Sequence, residues 1–130
     1  MKYKKLHHVG IVVDDLTSGI ERFTGFGFSC KEVRELKEAG VKIAFFPVGE
    51  SLIELLCFDP DKRQNVSEGA QKNAINHICF EVENLDDTIQ DFEKNGAKLM
   101  QGFPRAMGQS RIAFFLPETT SDVLIEVMQE

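Results

Sequence analysis

The chain has 130 residues, and its 42% hydrophobic and 28% charged residues are typical of a globular domain. Acidic residues number 21 against 15 basic ones, and the net charge of -6 disfavours nucleic-acid binding because no basic cluster is present. No apolar run approaches the roughly 20 residues that span a bilayer, so we expect neither a membrane segment nor a signal peptide. The three cysteines include no CxxC pair, which disfavours disulfides and predicts a cytoplasmic protein.

The first half of the chain predicts a strand, a short helix and three further strands. Apolar residues alternate over residues 6–13, as in a strand. Asp14-Asp15 then marks a helix start, because an Asp side chain accepts hydrogen bonds from free backbone N–H groups. Gly25 and Gly27 end this short helix. The further strands are predicted at about residues 28–34, 41–47 and 51–57, the last two joined as a hairpin.

The most informative feature is an internal repeat at an offset of 69 residues, which places His8 on His77. From His8 to Phe46, 10 of 39 positions are identical in the two copies, several times more than the composition alone would produce. The second copy therefore predicts the same elements, with its last three strands at about residues 97–102, 111–116 and 122–128.

The repeat predicts an α+β fold built from two tandem β-α-β-β-β modules. We place the first module at residues 1–58 and the second at residues 74–130. The polar segment 59–73 is the predicted linker, and the two modules together are predicted to form one domain.

Four polar residues interrupt otherwise apolar strands at equivalent positions of the two copies: His8, Glu54, His77 and Glu126. A carboxylate flanked by aliphatic residues is costly to bury unless its charge is compensated. Two imidazoles and two carboxylates suit a divalent metal such as Zn, Ni, Co, Mn or Fe, so the pattern predicts a metal site. In the alternative interpretation the histidines are ordinary core or surface residues and the two glutamates point to solvent.

Several other residues are weaker candidates for binding a substrate. Lys42 and Arg111 precede the two Ile-Ala-Phe-Phe segments, where they either hold an anionic group or lie at the surface. Glu81 is either a pocket acid on the face of His77 or a solvated strand end. Segment 102–108 is either a loop that closes over substrate or an ordinary surface loop, and one ring of each Phe-Phe pair must lie inside. The predicted substrate contacts are Lys42, Phe46, Glu81, Arg105, Met107, Arg111 and Phe115.

The segments His8–Leu16 and His77–Leu85, with the paired Glu54 and Glu126, resemble the vicinal oxygen chelate superfamily of glyoxalases, bleomycin resistance proteins and dioxygenases. The resemblance covers almost the whole chain and is greatest to the methylmalonyl-CoA epimerases and glyoxalase I. It implies that the two modules form a cupped mixed sheet around a metal held by the four residues.

The resemblance also implies an activity. In this family the metal acts as a Lewis acid while a carboxylate removes the proton next to a carbonyl, and the carboxylate here would be Glu126, or Glu54 by symmetry. We therefore expect a metal-dependent epimerase, isomerase or lyase whose small-molecule substrate is a thioester, or a thiol hemithioacetal as for lactoylglutathione lyase. A non-enzymatic binding protein of the resistance type and an iron dioxygenase are the alternatives. A homodimer is compatible with the expected exposed sheet edge.

The chain departs from both subfamilies at single positions. Glutathione-dependent glyoxalases carry an Arg four residues after the first His and often an Asn four residues after the first Glu, where this chain has Val12 and Phe58. Some epimerases carry an acid early in the third strand, where this chain has Lys42. The resemblance therefore leaves the substrate open among thioesters, thiol adducts and small oxo-acids.

Overall fold

The computed structural model describes residues 2–61 and 74–130, and the chain divides into two compact units. The first unit is His8–Asn76, and the second unit is Met1–His7 with His77–Glu130. The elements in chain order are β1 (Tyr3–Val12), α1 (Leu16–Gly25), β2 (Glu32–Leu36), β3 (Val41–Val48), β4 (Ser51–Phe58), β5 (Ala74–Val82), α2 (Leu85–Lys94), β6 (Arg105–Met107), β7 (Ser110–Phe114), a short 3₁₀ helix (Pro117–Thr119) and β8 (Ile125–Gln129).

In the first unit the strands are ordered β2-β3-β4-β1, with β1 parallel to β4 and the other neighbours antiparallel. The β3–β4 hairpin closes with Val48 opposite Ser51, across a turn in which Gly49 has a φ of 61°. This left-handed conformation favours glycine because glycine has no Cβ. Asp15 caps α1 by accepting a hydrogen bond from the backbone N–H of Ser18 at 3.1 Å. The predicted helix and hairpin of this half are confirmed.

In the second unit the strands are ordered β5-β8-β7-β6, with β5 parallel to β8 and the other neighbours antiparallel. Asn84 caps α2 by accepting a hydrogen bond from the backbone N–H of Asp87 at 3.0 Å. The 3₁₀ helix between β7 and β8 replaces the tight turn of the first unit, which accounts for the residues inserted in the second copy. The α+β class and the β-α-β-β-β order of both copies are confirmed.

Each unit packs its helix against one face of its strands, and these contacts form its main core. In the first unit the buried residues of this core are Val13, Ala44, Phe46 and Leu55. In the second unit they are Val82, Leu85, Ile89, Ala97, Ala113, Phe115 and Val127. The α1 helix lies so close to β4 that a Cβ at Gly19 would meet the side chain of Leu55 at 3.1 Å. Each fully buried Leu or Phe stabilises its unit by about 1.5–3 kcal/mol.

Two predictions for the second copy are wrong. Residues 97–102 do not form a regular strand, because the described pairing in this stretch is an isolated bridge at Leu99. The strand that pairs with β7 is instead β6, which lies inside the predicted loop 102–108. Pro104 lacks a backbone N–H and ends the apolar pattern, so the strand begins only at the residue after it.

The predicted linker 59–73 lies outside the described residues from position 62 onward. The module boundaries at residues 58 and 74 stay a prediction. No helix within residues 2–61 or 74–130 is long and apolar enough to cross a membrane.

Candidate metal centre

The first unit brings His8 and Glu54 into contact. The two residues lie on the parallel strands β1 and β4 and leave the same face, two positions apart. His8 Nδ1 lies 3.1 Å from Glu54 Oε2, and the side chains are only 8% and 9% exposed. The residue paired with Glu54 on β1 is Gly10, which has no side chain to compete for the carboxylate.

The second unit repeats this arrangement with His77 on β5 and Glu126 on β8. His77 Nε2 lies 3.3 Å from Glu126 Oε1, and both side chains are 8% exposed. The residue paired with Glu126 is Cys79, which forms no disulfide and is fully buried against Ile112 and Met128. The equivalent positions 10 and 79 therefore both carry small residues beside a buried carboxylate.

Each unit thus buries a carboxylate beside an imidazole, and the interpretation that places the two glutamates in solvent is wrong. Ionised carboxylates are buried only where cations or hydrogen-bond donors compensate their charge. Imidazole nitrogen and carboxylate oxygen are donors that first-row divalent metals accept. The residues whose chemistry fits a divalent metal are His8, Glu54, His77 and Glu126.

One ring of each Phe-Phe pair shares the face of these carboxylates. Phe45 is paired with Glu54, and Phe114 is paired with Glu126. The Phe114 ring meets the imidazole of His77 edge-on, with the ring centroids 5.5 Å apart. An aromatic wall therefore stands beside the His–Glu pair of the second unit.

The other ring of each pair lies on the opposite face, and here the predicted substrate contacts are wrong. Phe46 and Phe115 are fully buried on the helix side of their strands. Phe115 stacks on Phe92 of α2 at 4.4 Å, and Phe46 packs 5.7 Å from Phe23 of α1. Because strand side chains alternate between faces, the residue after a ring beside the carboxylate must point to the core.

Strand β6 carries Arg105 and Met107 to the same face as the carboxylate of the second unit. Arg105 is paired with Ile112, and its guanidinium carbon lies 4.5 Å from the centroid of the Phe103 ring. Phe103 in turn packs edge-on against Phe114, with the centroids 5.2 Å apart. The pairing of β6 with β7 thus places these two predicted substrate contacts on the carboxylate face. Both Arg105 and Met107 are exposed there.

Lys42 and Arg111 do not lie on that face. They precede Ile43 and Ile112, which are on the carboxylate side, so strand alternation turns both cations to the helix side. Arg111 forms an ion pair with Asp86 of α2 at 3.1 Å, and Lys42 is exposed. These positions fit the interpretation as surface charges, and substrate binding by the two residues stays a prediction.

Glu81 is not a solvated strand end, and its assignment as a substrate contact stays a prediction. Its residue is 4% exposed, and Lys4 Nζ lies 3.1 Å from one carboxylate oxygen while Lys5 Nζ lies 3.9 Å from the other. His7 is half-buried, with Nε2 3.8 Å from an oxygen of Glu130. Ligand atoms of His7, Glu81 and Glu130 lie within 4.8 Å of one another, but the two lysine ammonium groups disfavour a metal there.

A groove of about 440 Å³ lies beside α2 in the second unit. Its lining residues are Tyr3, Lys4, Lys5, Leu6, Phe80, Phe92 and Ile125. Burial raises the pKa of Tyr3 above its usual value, and the nearby carboxylate of Asp91 adds to the increase. No predicted site residue lines this groove, so it is separate from the candidate metal centre.

Sequence reasoning missed the ring of Phe114 and the lysine that neutralises Glu81. The position of Phe114 could have been found from the first hairpin. A two-residue turn after Val48 pairs Phe45 with Glu54, and the repeat places Phe114 at the position equivalent to Phe45. The second carried no local signal, since Lys4 and Glu81 lie far apart in the chain.

The chain is similar to known proteins over most of its length. The family model described as the glyoxalase/bleomycin resistance protein/dioxygenase superfamily matches residues 7–115. The mitochondrial methylmalonyl-CoA epimerase of Homo sapiens is 30% identical over 96% of this chain and 73% of its own length. A hypothetical protein of Bacillus halodurans has a TM-score of 0.82 at 28% identity, covering 97% of this chain and 94% of that chain.

A second solved structure has the same fold. It is a variant of Streptomyces coelicolor methylmalonyl-CoA epimerase in complex with 2-nitronate-propionyl-CoA. Its TM-score is 0.81 at 24% identity, and the match covers 98% of this chain and 95% of that chain. These similarities over nearly the full length confirm the predicted fold class.

Proposed function

The chain belongs to the glyoxalase/bleomycin resistance protein/dioxygenase superfamily, and on that premise we propose that it is a metal-dependent epimerase acting on an acyl-CoA thioester. The observation that carries the proposal is the buried His–Glu pair that occurs once in each unit, at 3.1 Å and 3.3 Å. The full-length similarity to methylmalonyl-CoA epimerases supports the choice of reaction and substrate class.

The proposed metal ligands are His8, Glu54, His77 and Glu126. Their donor set suits Zn, Ni, Co, Mn or Fe, and the duplicated pair gives each unit one nitrogen and one oxygen donor. A bound divalent metal supplies Lewis-acid polarisation of the carbonyl, without which the adjacent C–H is too weak an acid for a carboxylate at neutral pH.

The proton transfer falls to a carboxylate of the chain, and Glu126 is the first candidate, with Glu54 the second. Either residue would accept the proton from the carbon next to the thioester carbonyl and return it to the opposite face. Burial favours this role because it keeps bulk water away from the carboxylate. In the second unit, Phe114 beside Glu126 adds an apolar wall that orients a substrate.

We also propose the setting in which the enzyme works. The cysteines at positions 30, 57 and 79 form no disulfide, which suits the reducing cytoplasm. The substrate is a small molecule, and the net charge of -6 disfavours nucleic acid as a partner. A homodimer remains a proposal that sedimentation of the purified protein tests directly.

The decisive experiment is proton exchange in deuterated water. The purified protein, stripped with a chelator and then reloaded with Zn, Ni, Co, Mn or Fe in turn, is incubated with methylmalonyl-CoA, and deuterium at the carbon next to the carbonyl is measured by mass spectrometry. We expect exchange that disappears on stripping and returns with metal. The matched control is Arg111→Gln, on the other face of β7, which should exchange like the wild type.

Two alternative functions give different results in the same preparation. A lyase of the glyoxalase I type would convert a glutathione hemithioacetal and leave methylmalonyl-CoA unlabelled. A resistance-type binding protein would show no exchange, and its affinity for a ligand would not respond to added metal. Consumption of oxygen that depends on Fe(II) would instead indicate a dioxygenase.

A further inference from the structure

The two units carry an arginine at the same position of their outer strands. Arg34 on β2 is paired with Ile43, and Arg105 on β6 is paired with Ile112. The two isoleucines are equivalent in the repeat, so the two arginines are structural equivalents although the offset of 69 does not align them. Each arginine lies on the carboxylate face of its own unit.

The residue two positions before each arginine differs between the units, and this difference decides whether the charge of the guanidinium is neutralised. In the first unit it is Glu32, whose Oε1 lies 3.0 Å from Arg34 Nη2. In the second unit it is Phe103, and the guanidinium of Arg105 stacks on this ring at 4.5 Å. A cation–π contact holds the side chain without neutralising its charge. Within residues 2–61 and 74–130, no carboxylate lies within ion-pair distance of Arg105.

The position of Arg105 links this charge to the candidate metal centre. A continuous series of ring contacts runs from Arg105 over Phe103 and Phe114 to the imidazole of His77. Strand β6 is two strands away from β8, so the Arg105 backbone is about 10 Å from the strand that carries Glu126, at the usual spacing of about 4.8 Å per strand. The Arg105 side chain therefore lies on the carboxylate face, and the rings of Phe103 and Phe114 connect it to His77.

We propose that Arg105 determines substrate specificity by binding an anionic group of the substrate, a carboxylate or a phosphate. The inference rests on the proposed function, which it deepens. A guanidinium presents paired donors that match both anions, and its counterpart Arg34 already has its acceptor in Glu32. The substrate's negative charge is thus held by the second unit, while Arg105 takes no part in the proton transfer.

The test measures KM and kcat for methylmalonyl-CoA in Arg105→Gln, Arg105→Lys and the matched control Arg34→Gln. We expect Arg105→Gln to raise KM about 10- to 100-fold, the range of one charge-assisted hydrogen bond, with kcat little changed. Arg105→Lys should recover part of the affinity, and Arg34→Gln should leave KM unchanged. Unchanged KM in Arg105→Gln, or a loss confined to kcat, would overturn the proposal.

A shorter substrate identifies the anion. Methylmalonyl-pantetheine keeps the carboxylate and lacks the nucleotide phosphates of coenzyme A. If Arg105→Gln raises KM for both thioesters equally, the arginine binds the carboxylate; if it raises KM only for the CoA thioester, it binds a phosphate. Either result supports an anion site at Arg105.

A binding measurement separates this proposal from the proposed function. Calorimetry with coenzyme A and with malonate, on the wild type and Arg105→Gln, requires no turnover. If the wild type turns over no thioester but Arg105→Gln weakens binding of either probe, the proposed function fails and the anion site stands. If the wild type binds neither probe, or Arg105→Gln binds both as well as the wild type does, the anion site is overturned.

Discussion

The two units share the His–Glu pair and differ at the outer strand beside it. The first unit surrounds its pair with a glycine at position 10 and with an arginine neutralised by Glu32. The second unit has Cys79 beside its carboxylate, an aromatic wall of Phe103 and Phe114, and an arginine without an ion pair among the described residues. The repeated part suits a role common to both units, holding a metal, whereas the divergent rim suits the selection of one substrate.

The helices differ in a related way. The α2 helix buries Leu85, Thr88 and Ile89, whereas α1 has no fully buried residue and has Gly19 where α2 has Thr88. The N-terminal residues also belong to the second unit, where Lys4 neutralises the buried Glu81. The unit with the more deeply buried helix is thus the one that carries the proposed substrate contacts, which suits a rigid recognition surface.

The largest expected difference between the two units concerns the glutamates Glu54 and Glu126. If Glu126 is the proton acceptor, Glu126→Gln should reduce deuterium exchange by about 10²–10⁴-fold, the range that a general base contributes. Glu54→Gln removes a ligand charge but keeps the base, so it should cost less once metal is supplied in excess. Full exchange in Glu126→Gln would assign the base to Glu54 or to another group.

The two core rings test whether the units are equally stabilised by their helices. We expect Phe115→Ala and Phe46→Ala each to lower the free energy of unfolding by about 3–5 kcal/mol, because both rings are fully buried. Phe114→Ala, the matched ring on the other face, should cost less stability and raise KM instead. Urea unfolding with parallel kinetics separates these effects, and equal stability losses for Phe114 and Phe115 would contradict the assignment of faces.

The two histidines test whether both units hold the metal. His8→Gln and His77→Gln should each weaken metal binding by at least about 10–100-fold. Mutating a residue that only hydrogen-bonds to a metal ligand already causes a loss of this size, so removing a ligand should cost at least as much. Competition with a chelating dye measures the affinity. A loss in one variant alone would restrict the metal site to a single unit and reject the paired arrangement.

The smallest effect is expected at the charges that lie away from the carboxylates. Arg111→Gln breaks an exposed ion pair with Asp86 and should lower the free energy of unfolding by only about 0.2–1 kcal/mol. Lys42→Gln should change stability even less, and both variants should keep the wild-type KM. A raised KM in either variant would return that residue to the substrate site.

Much of the fold was predictable because it depends on short-range patterns. A capping aspartate and a glycine stop located α1, and the repeat transferred this helix to α2. Alternation with a tight turn located the β3–β4 hairpin. The failures lie where pattern and pairing disagree. Pro104 breaks the alternation of apolar residues before β6. Residue Leu99 pairs with Phe115 as an isolated β-bridge, so the stretch around it forms no regular strand.

The candidate site was predictable in its ligands and less so in its surroundings. The repeat identified His8 and Glu126 as members of duplicated pairs, because a polar residue on an apolar strand stands out at two equivalent positions. The choice of Phe115 over Phe114 was wrong because adjacent strand residues point to opposite faces, and either ring satisfies an apolar pattern.

The sequence by itself determined the duplication, the order of the elements and the four polar residues on apolar strands. These are properties of local periodicity and of the chain compared with itself, so they need no knowledge of how strands meet. Only the tertiary structure decided that Lys4 neutralises Glu81, that Lys42 and Arg111 face away, and that Arg105 lacks the acceptor its counterpart has. Those outcomes depend on strand register and on contacts between residues distant in the chain, which fix the face and the partner of each charge only after folding.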